Sequence, residues 1–154
     1  MDRQSYLLEM RQNHTLKGLK PCFVSLRFNA GKIYNDGYGE FIMSLKDGKL
    51  YFQKLSRFLK KLKPKDDFSL NADRFIEYRL EDKSFMKILY LYDDSGRYID
   101  ICYQAGRIET SASEDNVRRI IDELCKQHNL KPFKEEEYDD SQEEGNDSSG
   151  EGSN

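Results

Sequence analysis

The sequence predicts a mainly β, α+β domain: about seven antiparallel strands in a curved sheet or partly open barrel, closed by one C-terminal amphipathic helix. Three observations carry this. Asp47-Gly48 joins two apolar, aromatic runs, and Asp93-Asp94-Ser95-Gly96 joins two more. Both junctions read as hairpin turns, because Gly accepts positive φ without steric cost. Near the end, Val117, Ile120, Ile121 and Leu124 recur at the spacing of one helical face.

Taken in order, Tyr6, Leu7, Met10 and Leu16 give a weak helical stripe that Gly18 and Pro21 end. "CFVSLRF" (22–28) reads as a strand with Phe23, Ser25 and Arg27 on one side and Val24, Leu26 and Phe28 on the other. "NAGKIYNDGYG" is a turn-rich connection. Phe41, Met43 and Leu45 alternate along the first arm of the first hairpin, Leu50 and Phe52 along the second. "DFSLN" is a short strand, and "RFIEYRLE" is another, with Ile76, Tyr78 and Leu80 toward the core. In the second hairpin Ile99, Ile101 and Tyr103 alternate with Tyr98, Asp100 and Cys102; Ile99 and Ile101 are expected inward and Asp100 outward, because a core face does not waste a carboxylate. A helix spans about 114–128, with Ser111 or Ser113 as its cap and Lys126 and His128 suiting its last turn.

The organisation follows from charge. Of 154 residues, 28 are acidic and 25 basic, a formal −3. Nine of the acidic residues and no basic one lie between Glu135 and Asn154, which leaves 25 basic against 19 acidic residues before them, a formal +6. The expected units are an N-terminal segment (1–21), the β domain (22–134) and an acidic tail (135–154) expected to be disordered, since it cannot bury enough apolar surface to offset ordering entropy. No span is long enough to cross a bilayer and no secretory leader is expected. Cys22, Cys102 and Cys125 cannot all pair in one chain and lack C-x-x-C spacing, so reduced thiols in a cytoplasmic protein are expected.

The element order, carried by "EFIMSLKDGKLYF", "MKILYLYDDSGRYIDICY" and "NVRRIIDELC", resembles the pleckstrin-homology-like superfold over roughly 22–130. The resemblance implies a small cytoplasmic or membrane-associated domain. That superfold hosts lipid, peptide and protein binders, so it does not choose among them.

Nothing points to a reaction. His14 lies in a polar segment and His128 ends a helix, where an imidazole suits the dipole. There is no nucleophile elbow, zinc-protease helix motif or phosphate loop, and the cysteines are not spaced for zinc. Asp66-Asp67 and Asp93-Asp94 are adjacent pairs in turns, whose side chains point apart. Gly37 and Gly39 are explained by turn geometry. No catalytic residue, metal or cofactor is expected.

Binding is the expected role, and two surfaces compete for it. Tyr90, Tyr92, Tyr98 and Tyr103 on the second hairpin are candidates for contact with a protein partner, because Tyr joins apolar area to a polar tip. The plainer reading has them tiling a half-buried sheet face. An exposed edge strand would suit a partner strand or a second copy. The alternative surface is basic: Lys54, Arg57, Lys60, Lys61, Lys63 and Lys65, six cations within twelve positions. Leu55, Phe58, Leu59 and Leu62 between them have helical spacing, so an amphipathic helix over about 54–63, ended by Pro64, is expected; a strand running on to a turn at Pro64 is the other reading. Such a face suits acidic lipid headgroups or single-stranded nucleic acid. The acidic tail would visit it and shield it, or would only keep the protein soluble.

Overall fold

The computed structural model describes residues 3–56 and 62–133. Among these, α1 (Arg3–Gln12) is followed by β1 (Leu19–Leu26), β2 (Gly39–Lys46), β3 (Lys49–Lys54), β4 (Phe68–Asn71), β5 (Glu77–Lys83), β6 (Met86–Tyr92), β7 (Tyr98–Gln104), α2 (Ser111–His128) and β8 (Lys131–Pro132). They form one eight-stranded open sheet in the order β4-β3-β2-β1-β7-β6-β5-β8. Two antiparallel meanders, β1–β4 and β5–β7, meet where β1 pairs with β7 at Ser25↔Cys102 and Leu26↔Ile101. The eighth strand raises the expected count by one: Lys131 and Pro132 run parallel to Glu77 and Tyr78.

Both hairpins form where the turn chemistry placed them. Asp47 and Gly48 both take positive φ (53° and 76°), which matches the right-handed twist of the flanking strands. Phe41, Met43, Leu45, Leu50, Phe52, Leu89, Leu91, Ile99 and Ile101 turn to one face, and α2 lays Val117, Ile120, Ile121 and Leu124 against it. Each of those four helical side chains is buried, a gain of roughly 1.5–3 kcal/mol apiece. The helix starts earlier than expected and neither serine caps it. Ser111 Oγ donates to the Ile108 carbonyl, and Ser113 Oγ accepts from the Phe23 N–H, which ties α2 to β1. Asn129 ends the helix in the left-handed conformation.

The other face of the sheet is covered in two patches. Leu7 and Met10 of α1 pack on Ile42 and Leu55. Gln53, 2% exposed, fastens the α1–β1 connection by accepting from the Lys17 N–H (3.0 Å) and donating to the Thr15 carbonyl (2.8 Å). Ile88, Tyr90, Tyr92 and Cys102 form the second patch with Tyr98 and Phe133.

Several expectations on strand faces need correction. Phe28 does not continue the side of Val24 and Leu26, because β1 ends at Leu26, and Phe28 is exposed where they are buried. Phe75, not Ile76, is buried, since the short 3-10 turn Ala72–Arg74 shifts the phase before β5 begins; Leu80 is at the sheet edge and exposed. Asp100 does face away from the helix but is fully buried, under the loop that follows β1. A helix starting at Lys54 does not form: Lys54 ends β3, Leu55 bridges to Leu62, and the Lys63 N–H donates to the Lys54 carbonyl (2.9 Å). Residues 57–61, and the tail from Lys134, lie outside the described residues.

Candidate functional site

The most elaborately anchored loop is the one between β1 and β2, residues 27–38. Its sequence is rich in Asn and Gly, so without anchors it would be a loose connection. Three devices hold it. Asn35, 7% exposed, donates from Nδ2 to the Arg27 carbonyl and to Asp100 Oδ1 (both 2.9 Å) and accepts at Oδ1 from the Asp100 N–H (3.2 Å). The Arg27 guanidinium pairs with the other Asp100 oxygen. Ile33 runs beside the start of β7, where the Tyr34 N–H donates to the Tyr98 carbonyl (2.7 Å) and the Tyr98 N–H to the Lys32 carbonyl (3.0 Å). The loop thus takes the place that β1 vacates next to β7. A buried Asp with a buried Asn would be costly alone; here each polar atom named has a partner.

On this base the loop holds aromatic rings out to solvent. Phe28 and Tyr38 stack at 4.0 Å between centroids and are 68% and 55% exposed. Tyr34 lies under the Arg97 guanidinium, 4.2 Å from its ring. A cleft of about 510 Å³ lies between Phe28, Ala30, Ile33 and Tyr38, floored by Leu26 and flanked by Arg27. Lys54 reaches in from the end of β3. Its amine donates to the Tyr38 carbonyl and sits 5.2 Å from the Tyr38 ring and 4.9 Å from the Phe41 ring. Burial pulls its pKa down, as does nearby Lys63, while Asp66 and Glu40 oppose them. Gly39 is required here by its φ of +105°, a conformation that L side chains rarely adopt, and a Cβ there would also meet the Lys54 amine.

The sequence-derived basic residues are only partly brought to this place. Lys54 is engaged with the aromatic rings; Lys63 and Lys65 are exposed beside it, Lys65 within a 3-10 turn at Pro64–Asp66. Arg57, Lys60 and Lys61 lie outside the described residues. Asp66 and Asp67 follow at once, and Asp67 accepts from the Lys54 N–H (2.8 Å) and pairs with Lys17.

The four tyrosine candidates do not form one surface. Tyr103 is in the core on the helix face, and its hydroxyl has no partner among the described residues. Tyr90, Tyr92 and Tyr98 share the opposite face and tile it: Tyr90 meets Tyr98 edge-on at 5.3 Å, and Phe133 stacks on Tyr92 at 4.6 Å. The Arg79 guanidinium lies 4.3 Å from the Tyr90 ring, and its Nε donates to the Tyr92 hydroxyl (3.3 Å). Tyr90 donates to Glu81 (2.7 Å), and burial followed by this hydrogen bond pushes its pKa up to about 12. Tyr90 and Tyr92 are buried; only their neighbours touch them.

Sequence reasoning missed Phe28, Tyr34, Tyr38, Arg27, Asn35 and Asp100 as a unit. Two signals were available: aromatics inside an Asn/Gly loop, where no core period needs them, and an Asp amid apolar strand residues, which demands a partner. Among the described residues no group of three or more His, Cys, Asp or Glu is arranged to hold a metal. His128 meets Asp73 (2.6 Å), which joins the end of α2 to the turn before β5.

No family model matches the chain, and no curated protein matches it. Solved structures do. The hSac2 domain from the human phosphoinositide phosphatase Sac2 aligns at 10% identity and a TM-score of 0.50, over 86% of this chain and 90% of that one. Inner membrane complex sub-compartment protein 3 from Toxoplasma gondii aligns at 12% identity and a TM-score of 0.37, over 84% and 89%. The first shows a shared fold, the second carries no argument, and neither speaks to activity. Among the described residues no helix is long and apolar enough to cross a membrane.

Proposed function

We propose that the chain is a non-enzymatic binding module of the pleckstrin-homology-like kind, which docks a protein partner on the loop end of its sheet. The observation that carries this is the stacked, exposed pair Phe28–Tyr38 held on a buried polar base. A contiguous exposed aromatic surface is the kind that marks an interaction site, and a rigid aromatic patch binds with little entropy left to lose. The two-meander order and the closing α2 fit the superfold, and an odd number of thiols fits a reducing cytoplasm. The test compares full-length wild-type protein with the Phe28→Ser/Tyr38→Ser variant, each immobilised and exposed to native cell extract at physiological and at high salt. A partner held through this patch is retained at high salt and lost by the variant, by roughly 30-fold for a ~2 kcal/mol anchor. A captured set that the double substitution leaves unchanged sinks the reading.

One observation favours a second reading, anionic-surface binding: Lys63 and Lys65 are exposed at the same end as the aromatic pair. Acidic lipid or single-stranded nucleic acid would then be the ligand. Binding to phosphatidylserine vesicles or oligonucleotides would fall steeply with salt and with Lys63→Ala/Lys65→Ala. Absence of such binding at low salt rules it out.

A further inference from the structure

We propose that in the free protein the aromatic cleft is occupied by the chain's own segment Glu135–Asp140, with Tyr138 seated against Ile33, Phe28 and Tyr38. This rests on the loop end being the docking surface and adds its regulation.

Position comes first. The last described residue, Phe133, stacks on Tyr92 at 4.6 Å, and Tyr92 lies 5.0 Å from Tyr98. Tyr98 in turn is bonded through its backbone to Lys32 and Tyr34, on either side of Ile33 in the cleft wall. The tail is therefore rooted two ring-to-ring steps from the loop. Tyr138 lies five positions beyond Phe133, a reach of roughly 17 Å when extended, longer than the two ring-to-ring steps of 4.6 and 5.0 Å together.

Complementarity comes second. Tyr138 is the sole large apolar residue between Glu135 and Asn154, and Glu135, Glu136, Glu137, Asp139 and Asp140 surround it. The cleft offers apolar walls, and Lys32, Arg97, Lys63 and Lys65 are exposed on the loops around it. A short tether holds such a segment at an effective concentration on the order of millimolar, so an intrinsic affinity of only about 1 mM would fill the cleft half the time. A partner then competes with the tail, and an acidic segment bearing an aromatic is the chemistry that displaces it.

The test uses full-length ¹⁵N-labelled protein: wild type, Tyr138→Ser, and a variant with the five surrounding acids changed to their amides. The amide resonances of Lys32, Ile33 and Tyr38 are expected to differ between wild type and each variant at low salt. Wild type should move toward the variants as salt approaches roughly 0.5 M, where the screening length falls to a few ångströms. The differences should not depend on protein concentration. Rim resonances indifferent to both variants overturn the proposal, and differences that grow with concentration overturn it by assigning the segment to a second copy. Partner capture is scored separately. Capture through Phe28 and Tyr38 with resonances that ignore Tyr138 leaves the docking reading intact and removes only the tail contact. Resonances that follow Tyr138 with no capture by any salt-resistant partner do the reverse.

Discussion

Asn35 is the residue on which the loop end depends, and its removal has a calculable cost. Asn35→Ala deletes three hydrogen bonds: two from Nδ2, to the Arg27 carbonyl and Asp100 Oδ1, and one to Oδ1 from the Asp100 N–H. At about 1 kcal/mol each the loss is about 3 kcal/mol, because Asp100 is 0% exposed and its N–H gains no water in exchange. Arg27 stays paired to Asp100, which keeps the figure from rising further. Urea denaturation followed by far-ultraviolet circular dichroism reads it as a lower midpoint with an unchanged slope. The melting temperature should fall by roughly 10 °C for a domain of this size. Hydrogen exchange locates the loss: the amides of Tyr34 and Tyr98, which tie the loop to β7, should exchange far faster than those of Leu89 or Ile101. Asn35→Asp should be worse, since it sets a second carboxylate against Asp100. A loss under about 0.5 kcal/mol for Asn35→Ala, a typical surface value, would refute the reasoning.

Three further substitutions test the rest of the scaffold. A Cβ on Gly18 would lie 2.6 Å from Ser44 Oγ and 2.9 Å from the Leu45 nitrogen, so Gly18→Ala should cost about 1–3 kcal/mol in chemical denaturation. Ser44→Ala alone should be neutral or stabilising, because Ser44 Oγ is buried without a partner among the described residues; the double variant should recover only part of the loss, as the Leu45 backbone still blocks. Tyr90, with its pKa raised to about 12, favours the neutral phenol in the fold. Its contribution is fully present below about pH 10, the unfolded value, and is lost as pH rises through about 12. Absorbance titration at 295 nm should show a late-ionising tyrosine that Glu81→Gln shifts to lower pH; an unshifted profile would contradict the hydrogen bond.

How much of this was legible beforehand follows from the physics of each element. The two hairpins and α2 were, because turn chemistry at Asp47-Gly48 and a four-residue stripe from Val117 to Leu124 are local signals. β8 was not. Lys131 and Pro132 carry no strand pattern and pair only because β5 leaves an edge beside the end of α2. The stripe Leu55, Phe58, Leu59 and Leu62 has helical spacing, yet Leu55, just past the end of β3, bridges across to Leu62 and packs against Leu7 and Met10 of α1. Alternation correctly turned Asp100 away from the helix, but outward was equated with solvent. A sheet face covered by a loop breaks that equation, and coverage by a loop whose Asn35 lies 65 residues before Asp100 cannot be read from period two. Residues for the candidate site were hard to choose for the same reason: Tyr90, Tyr92 and Tyr103 came from strands and are buried there, while Phe28, Tyr34 and Tyr38 lie in a loop that pattern reading passes over.

That difference bears on where a partner would bind. Both faces of this sheet are spoken for among the described residues: α2 takes one, α1 and the tyrosine layer the other. Besides Leu8 on α1 and Leu80 on the β5 edge, apolar groups left in water gather at the ends of the strands. At one end Phe85 is exposed beneath Arg107, and Ile108, the next residue, is 94% exposed. At the other end Phe28 and Tyr38 are exposed but stacked, above a loop that Asn35, Asp100 and Arg27 hold in place. Buried polar groups give little net stability compared with apolar ones of similar size. Placing Asn35 and Asp100 under one loop therefore makes sense as shape control, and the shape they control is an aromatic surface facing water.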